Sequence, residues 1–271
     1  MNGTSIIATA SRRVQSASRS LRRRLMRRMA SFRARRMEVS KAAGVILAPH
    51  PDDEVFAAGG LIALKRQAGA AVDIVFFSDG EATHEHCCDI TPPEVGAARR
   101  HLAVQALATL GVTPEHLHWL GLPDRRIPAA DDEAFPQAAA RLATLLRRIA
   151  PREVFLPHAM EPWRDHRAAA EIAQAAIRGT DTPGAVYSYL VWGWFKPRLF
   201  RLLGRGLGQA VALDVSAVRA AKRSAIDTYF DATAPTCGKP YCGVLPHGFT
   251  EGFDSPREFF WTSTSPNQGS V

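Results

Sequence analysis

The sequence contains no run of about 20 apolar residues, the length needed to cross a bilayer, and it lacks the roughly 7–15-residue apolar core of a secretory signal. These absences predict a cytoplasmic protein that meets a membrane, if at all, at the inner surface. Cysteine is scarce: of four in 271 residues, two are adjacent (Cys87, Cys88) and two are spaced as Cys237 and Cys242. Such spacing is no disulfide framework, and reduced thiols are expected. Net basic charge is missing from most of the chain. The first forty residues hold eleven arginines and one acid, for a net charge of +10, whereas the remainder holds 23 basic and 25 acidic residues, for −2. A nucleic-acid-binding enzyme would carry a basic stripe on its folded part, so nucleic acid is not the expected partner.

What is present begins with that arm. Residues 11–36 space Val14, Ala17, Leu21, Leu25, Met29 and Phe32 three or four apart among arginines, the pattern of a basic amphipathic helix. A helix of this kind suits the interface of an anionic membrane. A solvated tail and a mitochondrial transit peptide are the alternatives, because runs of like charge resist folding and the stretch is rich in Arg and Ser.

From Gly44 onward short apolar runs alternate with helical stretches, which predicts a mostly parallel α/β sheet. Strands are expected at Val45–Pro49, Val72–Phe77, His118–Leu122, Val154–Pro157, Val186–Trp192 and Ala210–Val215. Helices are expected at Phe56–Gln67, Val95–Leu110 and His166–Ile177, with Lys222 on a late surface helix. The expected division is an arm over 1–41, a catalytic domain over 42–263 and a flexible tail over 264–271. A 46% hydrophobic content suffices for one such core.

Two segments carry chemistry. His50-Pro51-Asp52-Asp53-Glu54 directly follows the first long strand, at the carboxyl edge where open α/β sheets bind ligands. One imidazole and adjacent carboxylates offer two metal ligands and a spare base, and a cation would relieve the repulsion among three consecutive acids. His158 to His166 likewise follows a strand and opens a helix, and His166 completes a His, Asp, His set. Three protein ligands with one open position describe a catalytic rather than a structural metal site. Taken alone, Asp165-His166 would read as a helix cap beside a surface histidine.

Over residues 44–230 the chain also resembles the PIG-L or LmbE-like deacetylases, which remove acetyl groups from N-acetylglucosamine units. The resemblance rests on APHPDDE at Ala48–Glu54 and on Ser78-Asp79-Gly80-Glu81. Weaker support comes from Arg99, Leu122-Pro123-Asp124, Glu161–His166 and Asp214-Val215-Ser216 with Lys222. It implies a three-layer Rossmann-like fold with helices on both faces of the sheet. It further implies that His50, Asp53 and His166 hold one zinc ion while Asp52 is the general base; iron accepts the same ligand set. A bound zinc lowers the pKa of water to about 7, so a neighbouring carboxylate can take its proton near neutral pH. The implied substrate is an N-acetylamino sugar, free or as a glycolipid.

One departure stands out. The family's second motif has a histidine where this chain has Trp163, and that histidine serves the family as an oxyanion partner, a role worth about a hundredfold in rate. Either His158 or Arg164 substitutes, or the chain is a weak or inactive sugar- or lipid-binding protein of the same fold. Asp165 is expected to orient His166 or another imidazole. Arg99 is expected to bind substrate or lie on a solvated face, and Asp124 to contact substrate or cap a turn. His84, His86, Cys87 and Cys88 form a second, weaker metal candidate in a loop, and most of Tyr187, Tyr189, Trp192, Trp194 and Phe195 are expected in the core.

Overall fold

The structure is a computed structural model that describes residues 25–85, 89–180, 184–195, 210–230, 245 and 248–262. In chain order the strands are β1 (Arg35–Met37), β2 (Gly44–Ala48), β3 (Val72–Phe76), β4 (Leu117–Trp119), β5 (Glu153–Pro157), β6 (Ala185–Tyr189), β7 (Ala210–Asp214) and β8 (Arg257–Thr262). The helices are α1 (residues 25–33), α2 (Asp53–Gln67), α3 (Pro92–Ala108), α4 (Phe135–Ile149), α5 (Arg164–Arg178) and α6 (Arg219–Thr228). The strands form one sheet in the order β1-β7-β8-β6-β5-β2-β3-β4. Every pairing is parallel except those of β8, which runs antiparallel to β6 and β7.

Two cores flank the sheet, which makes the three layers. Residues of α2, α3 and α6, among them Phe56, Leu61, Leu107 and Ile226, fill one side. Residues of α4 and α5, among them Leu142, Leu146 and Ile172, fill the other. Being covered on both faces, β2 and β5 are apolar at nearly every position, as central parallel strands must be. The α/β fold expected from the sequence is thus the one observed.

Four expectations need correction. Lys222 is not on the surface: it is 2% exposed, because Glu258 of β8 reaches its ammonium at 2.6 Å inside the core. The strand expected to run to Leu122 stops at Trp119, and the one expected to run to Trp192 stops at Tyr189 and turns into a 3-10 helix, Trp192–Phe195. Within the basic arm, Met26 and Ala30 of α1 are fully buried in the main core and β1 pairs with β7. His84 does not lie in a polar loop but is buried on a 3-10 turn, whereas His86, Cys87 and Cys88 fall outside the described residues.

Topology brings the chemistry together. The chain leaves β2 toward β3 on one side, and β5 returns on the other side of β2, so their carboxyl ends flank a topological switch point, the usual ligand crevice of such sheets. The segment after β2 carries His50 to Glu54. The segment after β5 carries His158 to Trp163 and leads into α5, whose first turn holds Asp165 and His166.

Candidate active site

His50, Asp53 and His166 converge. A nitrogen or carboxylate oxygen from each lies within 4.8 Å of the others. Asp53 Oδ2 is 3.3 Å from His50 Nδ1 and 3.4 Å from His166 Nε2. Tetrahedral sites with bonds of about 2.0–2.1 Å place neighbouring ligand atoms about 3.3–3.4 Å apart, so these spacings are those of ligands around one small cation. Both ring nitrogens of His166 are buried without a hydrogen-bond partner, although Glu161 Oε2 stands 3.3 Å from Nδ1. Buried polar atoms are nearly always satisfied, so an orphaned imidazole beside carboxylates fits a metal ligand. The donor set, two imidazoles and a carboxylate, suits zinc or ferrous iron.

The other edge of His50 faces acids too. Its Nε2 is 3.1 Å from Asp124 Oδ1 and 3.4 Å from Asp165 Oδ2. Asp165, expected to orient His166 or another imidazole, presents its carboxylate to His50. Asp124 does cap its turn, receiving Arg125 N–H at 2.8 Å, and it also belongs to the cluster. Burial disfavours a charged His50 ring, but its hydrogen bonds to the carboxylates of Asp124, Asp165 and Asp53 outweigh it and hold the pKa well above normal. For Asp124, burial is likewise outweighed by the His50 hydrogen bond, which brings its carboxyl down to about 2.

Asp52 sits in strained backbone, with φ of 115°. A non-glycine residue there costs on the order of 1–3 kcal/mol and persists only when its surroundings impose it. Three contacts do so. Glu54 Oε2 accepts the Asp52 N–H at 2.9 Å, Arg99 Nη2 meets Asp52 Oδ2 at 3.1 Å, and the same guanidinium nitrogen donates to the Pro51 carbonyl. Glu54 is itself anchored by the Tyr229 hydroxyl at 2.6 Å. Gly80, at φ of 68°, makes room for the guanidinium, because a Cβ there would lie 2.6 Å from Arg99 Cζ. Burial pushes the Asp52 carboxyl up to about 7 against the opposing charge of Arg99, and pushes Glu54 to about 8.

The residues around the second motif differ in what they face. Trp163 ends in an indole 45% exposed and stacked on Trp192, with ring centroids 4.7 Å apart. Arg164 spends its guanidinium on Ile127 O at 2.8 Å and Asp132 at 2.9 Å. His158 Nδ1 accepts the Met160 N–H at 3.0 Å, which leaves the proton of the neutral ring on Nε2, and burial lowers its pKa. Arg99, turned onto Asp52, Pro51 and Thr83, is a positioning group in this arrangement. Tyr189 and Trp194 are buried as expected.

Two contributors had no assigned role in the sequence reading. Glu161, fully buried, accepts N–H groups from Val191, Trp192 and Gly193 while facing His166, and so ties the aromatic segment to the cluster. Its place in the second motif was the available signal. Tyr229 had none, since its contact with Glu54 spans 175 residues.

Comparison with known proteins agrees with this geometry. Residues 45–177 match the PIG-L family, described as GlcNAc-PI de-N-acetylase. The chain is 31% identical over 147 residues to a 4-oxalmesaconate hydratase of Pseudomonas putida, which covers 52% of this chain and 54% of the relative. The chain thus spans about half the length of the curated relative it matches. Among solved structures, a conserved protein of Thermus thermophilus superposes with a TM-score of 0.54 at 26% identity, over 70% of this chain and 79% of that one. The N,N'-diacetylchitobiose deacetylase of Pyrococcus horikoshii gives 0.62 at 18% identity, over 82% and 84%, a likeness of fold. With its APHPDDE segment at the cluster and both motifs inside the matched region, the chain carries a PIG-L, or LmbE-like, domain over residues 45–177.

Proposed function

We propose that the protein is a metal-dependent N-deacetylase of an N-acetylated amino sugar, working in the cytoplasm. The observation that carries this reading is His166, whose two buried nitrogens have no hydrogen-bond partner and whose Nε2 stands 3.4 Å from Asp53. In it, His50, Asp53 and His166 would hold one zinc ion, with ferrous iron acceptable to the same donors. Such an ion, when bound, polarises the acetyl carbonyl and acidifies water.

Asp52 takes the proton from the attacking water. Its carboxyl near pKa 7 is matched to that task at neutral pH, and Arg99 fixes its direction. As the carbon–nitrogen bond breaks, Asp52 returns the proton to the departing nitrogen; the second water proton stays with the acid product and passes to the amine, leaving acetate and an ammonium group. Asp124 and Asp165 steady His50 through Nε2. With Trp163 in place of a histidine, His158 offers the oxyanion a neutral Nε2–H, and the exposed Trp163 ring is a stacking platform for a sugar. Arg164, engaged by Ile127 and Asp132, frames the same rim.

A second reading is favoured by the 31% identity to a hydratase: the same water and base would add across a carbon–carbon double bond of a carboxylated substrate. An acetate-release screen over lipid-linked, nucleotide-linked and thiol-linked N-acetylglucosamine, with Asp52→Asn as control, separates the readings. Release that depends on Asp52 supports deacetylation. No release from any conjugate, with hydration of an unsaturated dicarboxylate instead, overturns it; ligand binding with neither reaction returns the chain to a sugar-binding role.

A further inference from the structure

Helix α1 has two faces with different tasks. On one, Met26 and Ala30, four residues apart, are fully buried in the main core. Arg27 beside them donates to Gly252 O at 2.6 Å and Arg257 O at 3.0 Å, and its guanidinium lies 5.0 Å from the Trp194 ring. The short strand β1, paired with β7, fixes the chain just beyond. This helix is therefore held in one orientation on the domain.

Of the apolar stripe read from the sequence, Met29 packs against the core beside Met26 and Ala30, but Leu25 and Phe32 do not. Leu25 and Phe32, seven residues apart and so on one side of the helix, are 51% and 93% exposed. Arg28, three residues after Leu25 and four before Phe32, lies exposed between them, and Arg33, Arg35 and Arg36 are exposed alongside. Of these, Arg36 is shared with Glu38 at 2.6 Å. The first 24 residues add six more arginines to the sequence and no acid.

We infer that this outer face of α1 docks the protein on an anionic lipid bilayer. A phenylalanine left in water amid cations is mismatched to each simpler partner. A polyanion such as nucleic acid would pair the arginines but leave Phe32 and Leu25 wet; an apolar protein groove would bury those two and strand the cations. The interface of an anionic bilayer accepts both, since rings and leucines enter the acyl boundary while guanidinium groups stay at headgroup level. Charge favours the same partner: the chain after residue 40, at −2, would be repelled, whereas residues 25–40 hold five arginines against the single acid Glu38. Because Arg27 packs on Trp194, two residues from the Trp192 that stacks on Trp163, docking would hold the rim of the metal cluster at a fixed attitude to the membrane.

The test uses the full chain and requires no catalytic assay: co-sedimentation with phosphatidylcholine vesicles, with and without phosphatidylglycerol. The expected result is binding only when phosphatidylglycerol is present, weakened by salt. Leu25→Ser with Phe32→Ser should reduce partitioning by about tenfold or more, and Arg28→Gln with Arg33→Gln by a comparable factor. Both pairs are exposed, so an unchanged Tm certifies the fold. Equal binding to both vesicle types, or binding that ignores the serine pair, overturns the proposal. So does a serine pair that instead abolishes self-association, or salt-sensitive retention on a DNA oligonucleotide without any on vesicles, which would assign the face to a second copy or to nucleic acid.

Discussion

Two of the ionic clusters buried among the described residues are built in opposite ways. In the pair between α6 and β8, Lys222 donates to Glu258 at 2.6 Å and to Phe56 O at 3.0 Å, and Glu258 also accepts the N–H groups of Gly60 and Leu61 at 2.7 and 2.8 Å. Each carboxylate oxygen has a donor. At the end of β2, by contrast, both nitrogens of His166 and one oxygen of Asp165 are buried without a partner, and the acids outnumber the imidazoles. A buried ionic group that the protein itself satisfies is scaffold. An orphaned buried polar atom costs on the order of 1–3 kcal/mol, and where several converge, as imidazole nitrogens and carboxylate oxygens do at the end of β2, a cation would satisfy them together.

That contrast can be broken at either cluster. Asp52→Asn should lower acetate release by about a hundredfold to ten-thousandfold while Tm stays within a degree or two of wild type, read by steady-state kinetics and calorimetry. Glu258→Leu should do the reverse. It strands a lysine and two amides in the core, so denaturant unfolding should show a loss of about 3–5 kcal/mol, with turnover per folded molecule preserved. Gly60→Ala sharpens the point more gently. Its Cβ would lie 2.5 Å from Val215 Cγ1 and 3.0 Å from Glu258 Oε1, and the overpacking should cost about 1–3 kcal/mol in the same assay. Tyr229→Phe has the smallest effect, removing one hydrogen bond worth about 0.5–1.5 kcal/mol. Because that bond supports Glu54 and through it Asp52, kcat should fall severalfold with KM unchanged, and the decrease should vanish in an Asp52→Asn background.

The sequence disclosed the site better than its supports. Strand and helix periods around residues 44–77 and 153–178 were plain, because buried parallel strands are continuously apolar and α5 is strongly amphipathic. Asp-Asp-Glu after a strand and Asp-His opening a helix then located both halves of the cluster. What stayed hidden depends on long-range partners. Lys222 looks like a surface residue until Glu258 is brought beside it. Strand β8 runs antiparallel in an otherwise parallel sheet, with no local signal of its partners, and β1 is three residues long amid arginines. Helix α1 misled through its own regularity: of its visible stripe only Met29 packs inward while Leu25 and Phe32 face outward, and Met26 and Ala30, set among arginines, make the rest of the contact with the core.

The measurement that bears most directly on the account is the metal content of the purified protein and three variants. One divalent ion per chain is expected in the wild type and in Asp52→Asn, falling to trace levels in His166→Ala and Asp53→Ala with circular dichroism unchanged. A wild-type protein that stays metal-free after incubation with zinc or ferrous iron, or a His166→Ala variant that binds as the wild type does, would contradict it.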